Sequence, residues 1–223
     1  MTLDERWLAA VWPVVRERLG DAPARVVELG CGPLGGLVPR LRSAGYEAVG
    51  VDPVAPDGDE YRQLTFERFE PAGEVDAVVA VTSLHHVDDP AEVLDRVDRM
   101  LAPAGIAAVI EWDWRSFDAR TAEWAFDRLG PDGDESWLRG HRERWSASGR
   151  PWDEYLADWA AEHGIHAAAE LLRLLDERFE REHLATGPYV FSGLPGTGEA
   201  DERAAVEAGT IKATRVDVVC RRR

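Results

Sequence analysis

The stretch Val26-Val27-Glu28-Leu29-Gly30-Cys31-Gly32-Pro33-Leu34-Gly35-Gly36 reads as a buried strand that runs into glycines and then into a helix. Glycine is needed where φ is positive or where a ligand must approach the backbone closely, so the loop is expected to receive a ligand at the strand's carboxyl end. A second element lies one strand further on. Asp52 directly follows Ala48-Val49-Gly50-Val51, a position from which a carboxylate can accept hydrogen bonds from both hydroxyls of a ribose. Loop and carboxylate together point to a ligand that carries a nucleoside.

Outward from this unit the pattern keeps alternating. A strand over 25–29, a helix over about 36–44 and a strand over 48–51 are followed by strands over 75–81 and 106–111 with a helix over 90–101 between them. This is the β-α-β order of an α/β fold with a parallel sheet. Continuous apolar runs such as Ala77-Val78-Val79-Ala80-Val81 suit strands covered on both faces by crossover helices. Before the first strand, residues 3–19 carry Leu8, Val11, Val15 and Leu19 at helical spacing, with Pro13 as a candidate kink and a stop at Gly20.

Residues 118–179 change character. They are helical in period, broken at Gly130-Pro131-Asp132-Gly133 and Gly149-Arg150-Pro151, and dense in tryptophan at Trp124, Trp137, Trp145, Trp152 and Trp159. Two extended segments are expected beyond them, near 183–191 and 212–220, separated by the loop 193–198 and a short helix around 200–208. The expected organisation is one domain: an N-terminal helix (1–20), a ligand-binding core (21–117), an inserted helical cap (118–180) and a C-terminal strand pair (181–223) that completes the sheet. A length of 223 residues suffices for one such core.

Composition narrows the partners. A formal charge of −16 would repel a phosphate backbone, and the only basic cluster is Arg221-Arg222-Arg223, so no nucleic-acid partner is expected. No apolar run is long enough for a membrane helix, and residues 1–7 lack the pattern of a signal peptide, so a cytoplasmic protein, monomeric or homodimeric, is expected. Cys31 and Cys220 are too few for a disulfide framework and lie beside apolar runs, as small buried side chains do. No metal site is expected, because His163 and His166 lack carboxylate or cysteine partners at ligand spacing.

Gly30, Gly32 and Gly35 also satisfy the G-x-G-x-x-G pattern of dinucleotide-binding domains, which keeps an NAD(P)-dependent oxidoreductase in view. Glu28 weighs against it. A carboxylate just before the loop would repel a pyrophosphate, yet suits the cationic amino-acid end of S-adenosyl-L-methionine. Here the chain resembles the class I S-adenosylmethionine-dependent methyltransferases, in the small-molecule, type 11-like group. Their first motif is an acidic residue followed by glycines, and a second acidic residue ends the next strand. The resemblance extends to Asp76 at the opening of the fourth strand and to the loop Thr82-Ser83-Leu84-His85-His86-Val87. It includes the turn Leu101-Ala102-Pro103-Ala104-Gly105, where the family has two glycines in place of Ala104-Gly105. The family's third loop glycine would fall at Leu34, so a loop of altered shape is expected.

The resemblance implies a Rossmann-like, doubly wound, mostly parallel seven-stranded sheet, S-adenosyl-L-methionine as cofactor, and methyl transfer to a small-molecule acceptor. It implies cofactor contacts from Glu28, Gly30, Cys31, Gly32, Asp52, Pro53, Phe66, Glu67, Thr82 and Ser83. Plainer roles compete: Glu28 as a partner of a helix N-terminus, Asp52 as a turn former beside Pro53, Ser83 or Thr82 as a cap. His85 and His86 are candidate general bases, since imidazole titrates near neutrality, or residues that fix the loop. Trp112, Trp114, His163 and His166 are candidate acceptor contacts, against tryptophan's ordinary role in packing. A methyltransferase-like scaffold without catalysis is the remaining alternative.

Overall fold

The apolar runs form the strands of one sheet, and the amphipathic segments cover it. A computed structural model describes residues 2–130 and 136–223; the expected break at Pro131-Asp132-Gly133 lies outside the described residues. Helix α1 (Leu3–Arg18) leads into β1 (Arg25–Leu29), α2 (Val38–Ser43), β2 (Glu47–Val51), β3 (Tyr61–Arg62) and β4 (Val75–Val81). Then come α3 (Pro90–Met100), β5 (Leu101–Trp112), α4 (Ala119–Phe126), α5 (Trp137–Ser148), α6 (Trp152–Glu162) and α7 (Ala168–Arg178). The chain ends with β6 (Phe179–Gly187), α8 (Glu199–Glu207) and β7 (Arg215–Arg222).

The seven strands lie in the order β3-β2-β1-β4-β5-β7-β6. The first five are parallel, and β7 runs antiparallel between β5 and β6. Order reverses beside β1, which opens a crevice at the carboxyl ends of β1 and β4, the place where ligands bind in open α/β sheets. Side-chain alternation divides the core. Val27, Leu29, Val78, Ala80 and Val109 face α3 and α7, whereas Val26, Val79, Val81, Ala108 and Ile110 face α1 and α2.

Several differences from the sequence reading have physical causes. The α1 stripe runs Trp7, Val11, Val15, Leu19, one residue every four, while Leu8 sits at its half-buried margin; the helix continues through Pro13. Strand β3 has two residues, too few to show a period. The segment 118–180 divides: α4 to α6 join an aromatic cluster with Trp112 and Trp114, but Leu171, Leu174 and Leu175 of α7 pack into the sheet core beside α3. Strand β6 starts earlier than expected because its charged residues, Glu180 to Glu182, belong to an edge strand, where charge is tolerated.

Candidate functional site

Four glycines shape the loop after β1. Gly30, Gly32, Gly35 and Gly36 all have positive φ, from 56° to 81°. At Gly36 an added Cβ would stand 2.4 Å from the Glu28 carboxylate, and at Gly35 2.3 Å from the Tyr61 hydroxyl. The altered glycine spacing therefore has a cause: the chain turns tightly over Glu28 and Tyr61 before α2 begins. Gly32 differs, since a Cβ there would meet nothing within 4 Å. That side of the loop is open for a ligand.

Glu28 is 1% exposed. Its Oε2 accepts from the amides of Leu37 (2.8 Å) and Val38 (3.0 Å), and Oε1 accepts from Leu37 at 3.0 Å. Burial pushes its carboxyl up to about 8, against the lowering effect of these two amides, and Asp52 pushes in the same direction as burial. The plainer role, holding a helix start, is thus one that Glu28 performs. Glu28 also lies in the wall of a 240 Å³ cavity with Gly30, Gly32, Thr82, Trp7 and Leu8. Cys31 belongs to that wall too, with its sulfur against Gly50, and burial raises its thiol to about 12, so it stays protonated and packs.

Asp52 also combines both readings. Oδ2 accepts from Gly32 N (2.9 Å) and Oδ1 from Val54 N (2.9 Å), which ties the glycine loop to the end of β2. Each oxygen keeps lone-pair capacity toward a second cavity, of 370 Å³. Asp52, Pro53, Phe66, Glu67, Ser83 and His86 contribute to its wall, with apolar surface from Val51, Leu84 and Val93. The two cavities meet at Gly30 and Thr82, which line both. The smaller one contains the buried Glu28; the larger is mostly apolar and has the acidic residues Asp52, Glu67 and Asp88 in its wall. Thr82 sits between them at φ 50°, a left-handed conformation rare for a β-branched residue.

The loop after β4 is anchored from behind by Glu111, which is 2% exposed at the end of β5. Its Oε1 accepts from Ser83 N (3.0 Å) and Leu84 N (2.8 Å), and its Oε2 pairs with His85 Nδ1. Ser83 Oγ donates to Leu29 O at 2.8 Å. His85 is buried and turned away from both cavities, whereas His86 lines the larger one with its ring 4.1 Å from that of His85. Loss of water on its packed side, and then the neighbouring His85, pull the His86 pKa from 6.5 to about 4, with Glu111 opposing. His86 is therefore neutral at pH 7, though a weaker base than a free imidazole.

The candidate acceptor contacts lie elsewhere. Trp112 and Trp114 are buried in the cap cluster and line neither cavity. His163 is exposed and stacked on Trp159 at 4.6 Å. His166 straps the loop after β4: its amide donates to His85 O (3.0 Å) and its Nε2 lies 3.0 Å from Val87 O. Sequence reading missed Trp7, Glu111 and His141. Glu111 did carry a signal, a carboxylate ending a buried strand as Glu28 and Asp52 nearly do. His141 carried none; it is buried among Trp137, Trp159 and Tyr155, and burial lowers it to about 4, with Arg144 and His163 adding to the effect.

The family profile of the methyltransferase domain matches residues 5–179. A ubiquinone biosynthesis O-methyltransferase from Pseudomonas aeruginosa is 32% identical over 107 residues, a match that spans 41% of this chain and 45% of that relative. Among solved structures, an S-adenosylmethionine-dependent methyltransferase from Mesorhizobium loti superimposes with a TM-score of 0.59 at 21% identity, over 96% of this chain and 98% of that one. The N-methyltransferase NodS from Bradyrhizobium japonicum, in complex with S-adenosyl-L-homocysteine, gives 0.54 at 13% identity, over 99% and 87%. With its sheet order and glycine loop, the chain belongs to the class I S-adenosylmethionine-dependent methyltransferase family.

Proposed function

We propose that this protein transfers a methyl group from S-adenosyl-L-methionine to an oxygen or nitrogen atom of a small molecule by in-line displacement. The observation that carries the reading is the pair of cavities meeting at Gly30 and Thr82, with Glu28 in one and Asp52 in the other. This donor and acceptor set fits the cofactor. A buried carboxylate suits the ammonium of the methionine part, Asp52 suits the ribose hydroxyls, and Phe66 with Val51, Leu84 and Val93 suits the adenine, Glu67 lying at its edge. The dinucleotide alternative loses support at one place: the amides of Leu37 and Val38, which a pyrophosphate would need at the start of α2, are held by Glu28.

When bound, the cofactor supplies a methyl carbon activated by its sulfonium, with S-adenosyl-L-homocysteine as the product. The protein's part is to orient and to exclude water; orientation alone can supply about 7–11 kcal/mol. Glu28, the glycine loop and Asp52 fix the donor side. The loop 82–86 runs from the meeting point of the two cavities at Thr82 to His86 on the wall of the larger one, and His86 is the group in reach of that point that would take the proton of the attacking oxygen or nitrogen at an imidazole nitrogen and pass it to solvent. His85, pinned by Glu111, sets the position of His86. Trp112 and Trp114 support the acceptor side from within the cap, Trp112 through its 6.0 Å stack on Tyr189, while His166 holds the loop.

The test is a transfer assay with labelled cofactor and a panel of phenols, carboxylates and amines, read as label in the product. Turnover at saturating cofactor that falls about 100-fold in His86→Ala supports the reading. A folded protein that binds neither the cofactor nor its product contradicts it. A protein that binds the product but turns over nothing is the outcome of a non-catalytic scaffold.

A further inference from the structure

The crevice carries side-chain charge of one sign. Glu28 lies in the wall of the smaller cavity and Asp52, Glu67 and Asp88 in that of the larger, while among the described residues neither wall contains a lysine or an arginine. Two of these carboxylates have tasks: Glu28 holds the amides of Leu37 and Val38, and Asp52 those of Gly32 and Val54. The carboxylates of Glu67 and Asp88 accept no hydrogen bond and form no ion pair among the described residues. On the Trp7 side the guanidinium groups are engaged elsewhere. Arg6 donates to Leu194 O at 2.8 Å and to Thr197 O, and Arg215, 5.9 Å from the Trp7 ring, pairs with Asp217 at 2.9 Å. The cofactor brings one positive charge in excess, its ammonium and sulfonium against its carboxylate, which leaves acidic charge for the acceptor to meet. An anionic acceptor would enter with no cationic side chain to receive it, which is costly in a partly desolvated site; a cationic one meets a favourable field.

The base points the same way. His86 is the one imidazole on either wall among the described residues, and burial, then His85, pull it down to about 4. A base that weak gives little help to an alcohol, whose proton must leave as the oxygen attacks. An amine needs less. Its ammonium gives up a proton before the attack, through His86 to water, and the neutral nitrogen then attacks with its lone pair. The N–C bond forms as the C–S bond breaks, the electron pair of the broken bond stays on sulfur, and no proton has to move in that step. The product leaves as a methylated ammonium ion, which suits the same carboxylates.

We propose that the acceptor is an amine, which arrives as its ammonium ion in the field of Glu67 and Asp88 and is methylated on nitrogen. The proposal rests on the methyl-transfer reading above and narrows its acceptor from oxygen or nitrogen to amine nitrogen.

The test uses probes that require no knowledge of the natural acceptor. They are three analogues of S-adenosyl-L-homocysteine with nitrogen in place of sulfur, bearing on that nitrogen a propyl chain that ends in an ammonium, a hydroxyl or a carboxylate. Each is titrated calorimetrically into the full chain, beside S-adenosyl-L-homocysteine itself. The ammonium probe is expected to bind about tenfold more tightly than the hydroxyl probe, and the carboxylate probe about tenfold less tightly. The ammonium advantage should shrink in about 1 M salt, where screening acts within about 3 Å, and should fall about threefold in Asp88→Asn. Equal affinities of the three probes, or a preference for the hydroxyl or carboxylate arm, overturn the proposal. So does an ammonium advantage indifferent to both salt and Asp88→Asn, or binding of S-adenosyl-L-homocysteine with none of the probes. Protein that binds neither S-adenosyl-L-homocysteine nor any probe overturns the cofactor reading itself, so the two failures are distinguishable. In the transfer assay, label in amines supports the proposal, and label in phenols or carboxylates but in no amine overturns it.

Discussion

The glycine-loop crevice and the aromatic cap occupy the same carboxyl edge of the sheet but are built in opposite ways. In the crevice, carboxylates on strand ends hold backbone amides: Glu28 holds Leu37 and Val38, Asp52 holds Gly32 and Val54, Glu111 holds Ser83 and Leu84. These bonds fix loops around open space. In the cap, rings fill the space instead; Trp112 alone has Phe117, Trp137, His141, Trp159 and Tyr189 within 6.3 Å. A polar scaffold thus keeps a crevice open to a ligand, whereas aromatic density marks the part that holds itself together.

The contrast is most exposed to test at Trp152. It is 2% exposed, with four aromatic neighbours at 5.2–5.4 Å, and its indole donates to Phe117 O. Trp152→Ala is expected to cost about 3–5 kcal/mol in denaturant unfolding. The fraction that remains folded should bind S-adenosyl-L-homocysteine with ordinary affinity. A selective loss of binding would mean that cap and crevice are one unit.

A smaller effect concerns the crevice side. With its carboxyl raised to about 8, Glu28 is protonated in the free protein at pH 7, and an ammonium beside it favours the ionised form. Binding then releases a proton. Affinity for S-adenosyl-L-homocysteine should therefore rise with pH up to about 8, by at most about tenfold per unit, and level off above. In Glu28→Gln the slope should vanish. Folding carries the opposite sign: a carboxyl raised in the native state adds stability that is full below about 4.5 and is lost as pH rises through about 8, which pH-dependent unfolding would show.

The smallest expected effect lies at the far end of the sheet. Ala104 lies in the irregular first residues of β5, where the register against β4 shifts, and has φ 64°. Ala104→Gly should stabilise the fold by about 0.5–1 kcal/mol by relieving the left-handed strain, less the entropy that glycine adds to the unfolded chain. Ligand affinity should not move.

The strands that carry the site were legible because each is an apolar run that ends beside residues with a chemical role, and β1 and β4 have the bounds read from the sequence. The place of Asp52 just past the end of β2 was legible for the same reason. What escaped the sequence was set by contacts between distant segments. Trp7 stands on a helix whose stripe looks like ordinary core, and only folding brings it into one cavity wall with Glu28. The stripe Leu171, Leu174, Leu175 has the same period whether it covers a sheet or a cap, so α7 could not be separated from α4 to α6. His85 and His86 are adjacent and identical in type, and it is Glu111, 26 residues from His85, that turns the first inward and leaves the second on the cavity.

Whether the crevice is a site for S-adenosyl-L-methionine is decided by calorimetric titration of the purified protein with S-adenosyl-L-homocysteine, beside NADH and an Asp52→Ala variant. The expected result is binding of S-adenosyl-L-homocysteine, none of NADH, and a loss of about 100-fold in the variant as two hydrogen bonds to a charged group disappear. Binding of NADH without S-adenosyl-L-homocysteine, or affinity indifferent to Asp52, would contradict the assignment.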